Sequence, residues 1–249
     1  MEIIALTNQK GGVGKTTTAI NLGVGLAKKK KRVLIVDLDP QANLTSAFGI
    51  RPDKTIYDLL NNDTGLNDVT VSKFGVDIVP SEQVMARLEK ELLGEIRASE
   101  RLGEKLVDLK YDYILIDCPP SLGLLTLNGL TACDSVIIPM EPEPFALEGI
   151  IATNNIIHKI KKMVKSIEVM GVLIIKFHRH YILDNSILEY VEKHGFTVFD
   201  TKIRTNKAIS EAQLARVPIY EYSNSCNGAK DYKAFTKEVL NYGKKEKKV

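Results

Sequence analysis

The chain has little of what marks secreted, membrane or metal-stapled proteins. Its three cysteines, Cys118, Cys133 and Cys226, are odd in number, widely spaced and without a C-x-x-C pair. That argues against a disulfide framework or a zinc site and suits a reducing, cytoplasmic setting. No apolar run approaches the roughly 18 residues of a membrane span. The first residues enter an apolar strand pattern directly, without a signal peptide's basic region and h-region, and no helix-turn-helix segment precedes Met1, so operator-specific autorepression is not expected. The Asn-Lys-x-Asp motif of guanine recognition is missing, which disfavours a GTPase. Internal repeats and low-complexity segments are also lacking. What is present is a 249-residue chain with 44% hydrophobic and 26% charged residues, close to globular averages, which excludes global disorder and allows one α/β domain with a large core.

Net charge is small overall and unevenly placed. The formal net charge is +3, yet residues 1–149 carry 16 basic and 21 acidic side chains while residues 150–249 carry 18 and 10. The tail Lys244-Lys245-Glu246-Lys247-Lys248 holds +3 of that basic excess and reads as a solvated, frayed terminus, residues 244–249. The rest permits contact with nucleic-acid phosphates without requiring it.

The most informative stretch is Gln9 to Thr18, Gln-Lys-Gly-Gly-Val-Gly-Lys-Thr-Thr-Thr. It lies between the apolar run Ile3-Ile4-Ala5-Leu6 and a helical pattern. A strand, a glycine turn and a helix start gather backbone N–H groups and a helix N-terminus on one point, where a polyphosphate is favoured. Gly11, Gly12 and Gly14 let the backbone approach phosphate oxygens, Lys15 can reach the β- and γ-phosphates, and the Thr16 hydroxyl can ligate Mg²⁺. The usual P-loop has glycine where this chain has Gln9, and Lys10 stands just before the paired glycines, so the loop is a variant.

Two apolar strand patterns end in carboxylates. Val33-Leu34-Ile35-Val36 runs into Asp37-Leu38-Asp39-Pro40-Gln41, and Tyr113-Ile114-Leu115-Ile116 ends in Asp117 before Pro119-Pro120. Continuous apolar runs mark parallel strands buried on both faces, and ligands bind at the C-terminal edge of such sheets. Asp39 is placed to orient a water against a γ-phosphate, with Asp37 nearer the metal or the loop, and Asp117 to hold the metal through water. A purely local alternative exists for Asp39-Pro40, a helix N-cap followed by proline.

Elsewhere the pattern predicts helices over 15–29, 55–60, 82–93, 101–109, 122–132, 145–163, 184–193, 206–216 and 228–242, and strands over 76–80, 111–117, 135–139, 169–175 and 197–203. The acidic, proline-rich Glu141-Pro142-Glu143-Pro144 reads as a loop at the sheet's C-terminal edge. Strand and helix alternate throughout residues 1–243, which predicts a single doubly wound, mostly parallel α/β sheet flanked by helices.

Lys10-Gly11-Gly12-Val13-Gly14-Lys15-Thr16-Thr17, Asp37-Leu38-Asp39-Pro40-Gln41, Ile116-Asp117-Cys118-Pro119-Pro120-Ser121-Leu122-Gly123 and Ile209-Ser210-Glu211-Ala212 together resemble the ParA/Soj family of partition ATPases. The resemblance covers nearly the whole chain, in the family's order and spacing. It implies a weak Mg²⁺-dependent ATPase with a deviant Walker A loop whose two subunits sandwich two ATP molecules. Lys10 resembles the signature lysine that reaches the partner's nucleotide, with Lys15 in its own site and Val13 and Thr17 in the cradle. Asp39 resembles the residue that positions the hydrolytic water, Thr16 and Asp117 the magnesium residues, and Asn206 an adenine contact. The resemblance further implies an ATP-bound homodimer that binds double-stranded DNA without sequence preference, a nucleoid-associated cytoplasmic location, no membrane partner, and a ParB-like centromere-binding protein that stimulates hydrolysis. Soj-like members commonly carry an arginine where this chain has Ala208, with Lys207 and Arg204 nearby. Arg179, Arg204, Lys207 and Lys230 are the expected phosphate contacts. His178 and His180 have no acidic or cysteine partner at metal spacing and read as surface or DNA-adjacent residues rather than ligands.

Other functions share this pattern. A MinD-like membrane-cycling division regulator would carry a C-terminal amphipathic helix, but nothing after Tyr242 is Leu, Ile or Phe. A nitrogenase-reductase-like protein would hold an iron–sulfur cluster on cysteines in a glycine-rich context, which neither Cys118 nor Cys133 has. A DNA tether that binds ATP without turnover would follow if Asp39 failed to position water.

Overall fold

The computed structural model describes residues 1–61, 64–92, 94–144, 146–163, 167–178 and 181–246. In chain order, β1 (Glu2–Leu6), α1 (Lys15–Ala27) and β2 (Val33–Asp37) come first. Three short helices follow, α2 (Asn43–Ala47), α3 (Ile56–Asn61) and α4 (Leu66–Val69), then the hairpin β3 (Val71–Lys73) and β4 (Val76–Val79). Next are α5 (Met85–Glu91), a 3₁₀ turn at Ala98–Glu100, α6 (Arg101–Lys105), β5 (Tyr113–Asp117), α7 (Leu124–Ala132), β6 (Ser135–Met140), α8 (Ala146–Met163) and β7 (Glu168–Phe177). The chain closes with α9 (Ile182–Lys193), β8 (Ile203–Arg204), α10 (Lys207–Leu214), α11 (Ile219–Tyr222) and α12 (Asn227–Glu246).

The strands form one eight-stranded sheet in the order β3-β4-β2-β5-β1-β6-β7-β8. Every pairing is parallel except β3 with β4. Side chains alternate between two apolar layers, as the two-residue period of a strand demands. Ile3, Leu34, Val36, Ile114 and Ile116 enter one layer with Met85, Leu130 and Ile150. Ile4, Leu6, Ile35 and Leu115 enter the other with Leu22 and Leu26 of α1 and with Tyr232, Phe235 and Val239 of α12. Helices therefore cover both faces, and the strand ends of β1, β2, β5 and β6 converge on one edge.

Several expected elements changed length for identifiable reasons. The strand expected over 197–203 is reduced to β8 and an isolated bridge between Val198 and Val172. Glu238 of α12 takes the backbone N–H groups of Asp200 at 2.6 Å and Thr201 at 3.0 Å, so those donors are lost to the ladder. The helix expected over 101–109 stops at Lys105, and Asp108 adopts a left-handed φ of 56°. The last helix continues past Tyr242 to Glu246. The β3–β4 hairpin turns on Phe74 and Gly75, both at positive φ, 51° and 79°, the signature of a type I′ turn.

Candidate functional site

The glycine loop joins β1 to α1 between the ends of β5 and β6. Gly12 and Gly14 sit at φ 76° and 74°, a region in which a side chain is strained. A Cβ on Gly14 would also lie 2.7 Å from the Ile175 side chain. Asn8 holds the start of the loop. Its buried side chain donates to Pro139 O at 2.9 Å and accepts from the Lys10 N–H at 3.0 Å. Nothing local in the sequence singled Asn8 out, because its partner lies 131 residues away.

Lys15 opens α1 and is buried, with its ammonium donating to Asn8 O at 3.1 Å and Lys10 O at 3.2 Å. Burial pulls its pKa below the ordinary lysine value, against the opposing influence of the nearby carboxylates Asp117 and Asp39. A cation strung on the loop's own carbonyls rather than locked in an ion pair is arranged to receive phosphate.

Three carboxylates crowd the same edge, where β2 and β5 place Asp37 and Asp117 side by side in register, with Leu6 on the far side of Asp117. Asp37 is fully buried and accepts from Thr45 Oγ1 at 2.7 Å, Thr45 N at 3.0 Å and Asp39 N at 3.2 Å. Thr45 Oγ1 accepts in turn from Ser81 N at 2.8 Å. Through these bonds Asp37 ties residues 39–45 to the sheet. Burial raises its pKa to about 7 despite those donors. Asp39 is buried too, and its Oδ1 accepts from Gln41 N at 2.9 Å. That is an Asx turn rather than a helix cap, since α2 begins only at Asn43.

Asp117 differs from both. Its side chain is buried and, among the described residues, neither oxygen is met by a donor in full hydrogen-bond geometry, the Thr16 hydroxyl being the nearest candidate. Burial drives its pKa well above the carboxylate range and the Asp37 charge adds to the rise, while the nearby Thr16 hydroxyl and the Lys15 ammonium pull the other way. A buried carboxylate without a well-placed donor is costly. Facing the opening turn of α1, it is suited to the water shell of a divalent cation, so Thr16 and Asp117 fit such an ion.

Lys10, at the mouth of the loop, pairs with Glu143, and the hydrogen bond from the lysine, aided by its charge, holds Glu143 below the usual carboxylate range. Lys176 pairs with Glu141 at 2.7 Å. The Glu141-Pro142-Glu143-Pro144 loop thus lies at the sheet's C-terminal edge, with two cations on it. Sequence reasoning missed Glu143 as Lys10's partner, and only its place in an acidic loop hinted at it.

The other expected residues lie further out. Asn206 caps α10, accepting from Ala208 N at 2.9 Å. Arg204 is exposed and grips Asp231 of α12 with Nε at 3.0 Å, Nη2 at 2.6 Å and its backbone N–H at 3.0 Å. Lys207 and Lys230 are exposed, and Lys230 neighbours Asp231 in sequence. Arg179 and His180 lie outside the described residues. His178 stacks on Tyr181 with ring centroids 4.5 Å apart and donates its backbone N–H to Asp184 at 2.7 Å. Cys118 and Cys133 are both in the apolar core.

A family model described as "AAA domain" matches residues 1–172. The sporulation initiation inhibitor protein Soj of Bacillus subtilis is 42% identical over 97% of this chain and 99% of its own length. The chromosome partitioning protein ParA of Caulobacter vibrioides is 37% identical over 96% of this chain and 94% of its own. Among solved structures, cobyrinic acid a,c-diamide synthase from Mycobacterium smegmatis, with bound ATP analog and magnesium, superposes with a TM-score of 0.86 at 30% identity, covering 98% of this chain and 96% of that one. With a variant phosphate loop, two strand-end carboxylates beside it and Soj and ParA similar from end to end, the chain belongs to the ParA/Soj family of P-loop partitioning ATPases.

Proposed function

We propose that this protein is a DNA-partition ATPase that binds Mg²⁺-ATP, dimerises on it, holds DNA as the dimer and lets go on hydrolysis. The single observation that carries the reading is Asp117, buried and without a well-placed donor beside Lys15 and Thr16. A cation with its water shell would satisfy that carboxylate, and the triphosphate would satisfy Lys15 and the N–H groups of the glycine loop. Magnesium, when bound, neutralises charge on the phosphates. Asp39, fixed at Oδ1 by Gln41 N, orients the water. The solved synthase carries an ATP analogue and magnesium, which supports the same ligands here. Identity is higher to Soj than to that synthase, which favours partition.

Lys10 reaches the partner's nucleotide in the dimer, leaving Glu143 to do so. Two subunits then bring their basic surfaces side by side, and the phosphates neutralised by Arg204, Lys207 and Lys230 double in number. Because each contact multiplies the binding constant, dimerisation switches DNA affinity. Arg179 is assigned to the same surface from its sequence position, and Asn206 to the adenine. A ParB-like partner accelerates turnover, and the dimer resides on the nucleoid. Among the described residues no helix is long and apolar enough to cross a membrane.

The test is the mass of the ATP-bound species and its rate of phosphate release. Wild type should be monomeric with ADP, dimeric with ATP and slow to hydrolyse. Asp39→Ala should remain dimeric with ATP and release no phosphate. An Asp39→Ala protein that turns over at the wild-type rate would remove Asp39 from water positioning.

A further inference from the structure

The α10–α11 segment returns to the phosphate loop through Gln213, a residue that no motif marked. Its foundation is buried. Asn21 of α1 accepts from Ile219 N at 2.9 Å through Oδ1, and its backbone O accepts from Tyr220 OH at 3.0 Å, with Asn21, Ile219 and Tyr220 all buried. Asn21 Nδ2 donates to Thr17 O at 2.8 Å, closing the link to the first turn of α1. From this base α10 extends Gln213 over that turn, where Gln213 Nε2 donates to Thr17 Oγ1 at 2.6 Å.

The direction of that bond matters. A hydroxyl has one proton and two lone pairs. Because Gln213 is the donor, it occupies a lone pair of Thr17 Oγ1 and leaves the proton free. The chain Gln213 N–H to Thr17 O–H to an acceptor is also cooperative, since accepting one hydrogen bond strengthens the next one donated. Thr17 follows Thr16 at the N-terminal turn of α1, where the helix dipole and free N–H groups favour a phosphate.

We infer that Gln213 is a positioning residue for the nucleotide: it fixes the Thr17 hydroxyl with its proton directed to a phosphate oxygen. This inference rests on the nucleotide-site reading above and adds to it a residue from the far end of the chain. It also couples the two regions reciprocally. Whatever tightens the phosphate on Thr17 tightens Gln213 on Thr17, and α10 carries Asn206 and Lys207 at its other end.

Calorimetric titration of the full chain with Mg²⁺-ADP tests it, using wild type, Gln213→Ala, Gln213→Glu, Thr17→Val and the Gln213→Ala/Thr17→Val double variant. One neutral hydrogen bond acting on the phosphate contact corresponds to about a two- to tenfold rise in Kd for Gln213→Ala. Gln213→Glu should lose more, because a carboxylate only accepts, takes the Thr17 proton and adds negative charge. In the Thr17→Val background, Gln213→Ala should change Kd by less than about twofold, as expected when both residues act through one contact. Unchanged affinity in Gln213→Ala, with wild type binding normally, overturns the inference and leaves the nucleotide site standing. So does an equal loss in both backgrounds, which would mean Gln213 acts only by holding α10. Wild type that does not bind Mg²⁺-ADP overturns the nucleotide site and this inference together.

Discussion

Replacing Asp117 by alanine should move stability and metal response in opposite directions. Without ligand, the Asp117 carboxyl is buried, meets no donor in full hydrogen-bond geometry among the described residues and is pushed well above its ordinary pKa by burial and by Asp37. An unsatisfied buried polar group costs about 1–3 kcal/mol. Removing it leaves a small void, and at about 24 cal/mol per Å³ a carboxylate-sized space of roughly 30 Å³ costs about 0.7 kcal/mol. The ligand-free variant should therefore be as stable as wild type or more stable by about 1 kcal/mol, a rise of about 2–4 °C in Tm for a chain of this size. With nucleotide and metal the order reverses. Wild type at about a hundredfold excess of ligand over Kd gains about 2.7 kcal/mol, and the magnesium-dependent share of that gain should vanish in Asp117→Ala. Thermal melts without ligand, with ADP alone and with ADP plus Mg²⁺ read all three states. A variant that melts well below wild type without ligand, yet keeps its full magnesium increment, would refute the reasoning, because Asp117 would then be an ordinary core residue.

Lys10→Ala should still bind Mg²⁺-ATP but fail to dimerise, and sedimentation with ATP and with ADP checks this; a Lys10→Ala dimer would remove the lysine from the partner's site. Asp37 has a folded pKa of about 7 against an ordinary value of 3.8, so between about pH 4 and 7 the folded protein binds the extra proton. Its contribution is therefore complete below pH 4 and is lost as pH rises through 7. Ligand-free melting temperature should fall across that window, and Thr45→Val, which removes the 2.7 Å hydroxyl bond, should shift the fall to higher pH. Phe235 is fully buried and meets Phe199 edge-on with centroids 5.0 Å apart, so Phe235→Ala should cost about 3–5 kcal/mol in denaturant unfolding.

The candidate site was legible in the sequence because each of its parts is a local pattern. Three glycines, a lysine and a threonine follow one apolar strand, and Asp37 and Asp117 each end another. Parallel register then sets those ends side by side, which strand-end position alone implies. What stayed hidden depends on distant partners. Asn8 is fixed by Pro139, Lys10 by Glu143 and Thr17 by Gln213, pairs separated by 131, 133 and 196 residues. The shortened strand at 197–203 has the same origin, since Glu238 captures two of its N–H groups. The β3–β4 hairpin escaped because three residues are too few for a visible alternation and Phe74, a bulky residue, occupies a positive-φ turn position. Arg204 is a basic residue in sequence, but in space it is joined to Asp231, so part of its charge is already neutralised before any phosphate approaches.

The most direct measurement is the fluorescence anisotropy of a labelled nonspecific DNA duplex with ATP, with ADP and with no nucleotide, repeated over a salt series beside anionic vesicles. Partition by a nucleotide-switched dimer requires tight binding with ATP alone, a steep linear fall of log affinity with log salt, and no vesicle binding. Equal DNA binding in all three nucleotide states, or ATP-dependent binding to vesicles in place of DNA, would contradict it.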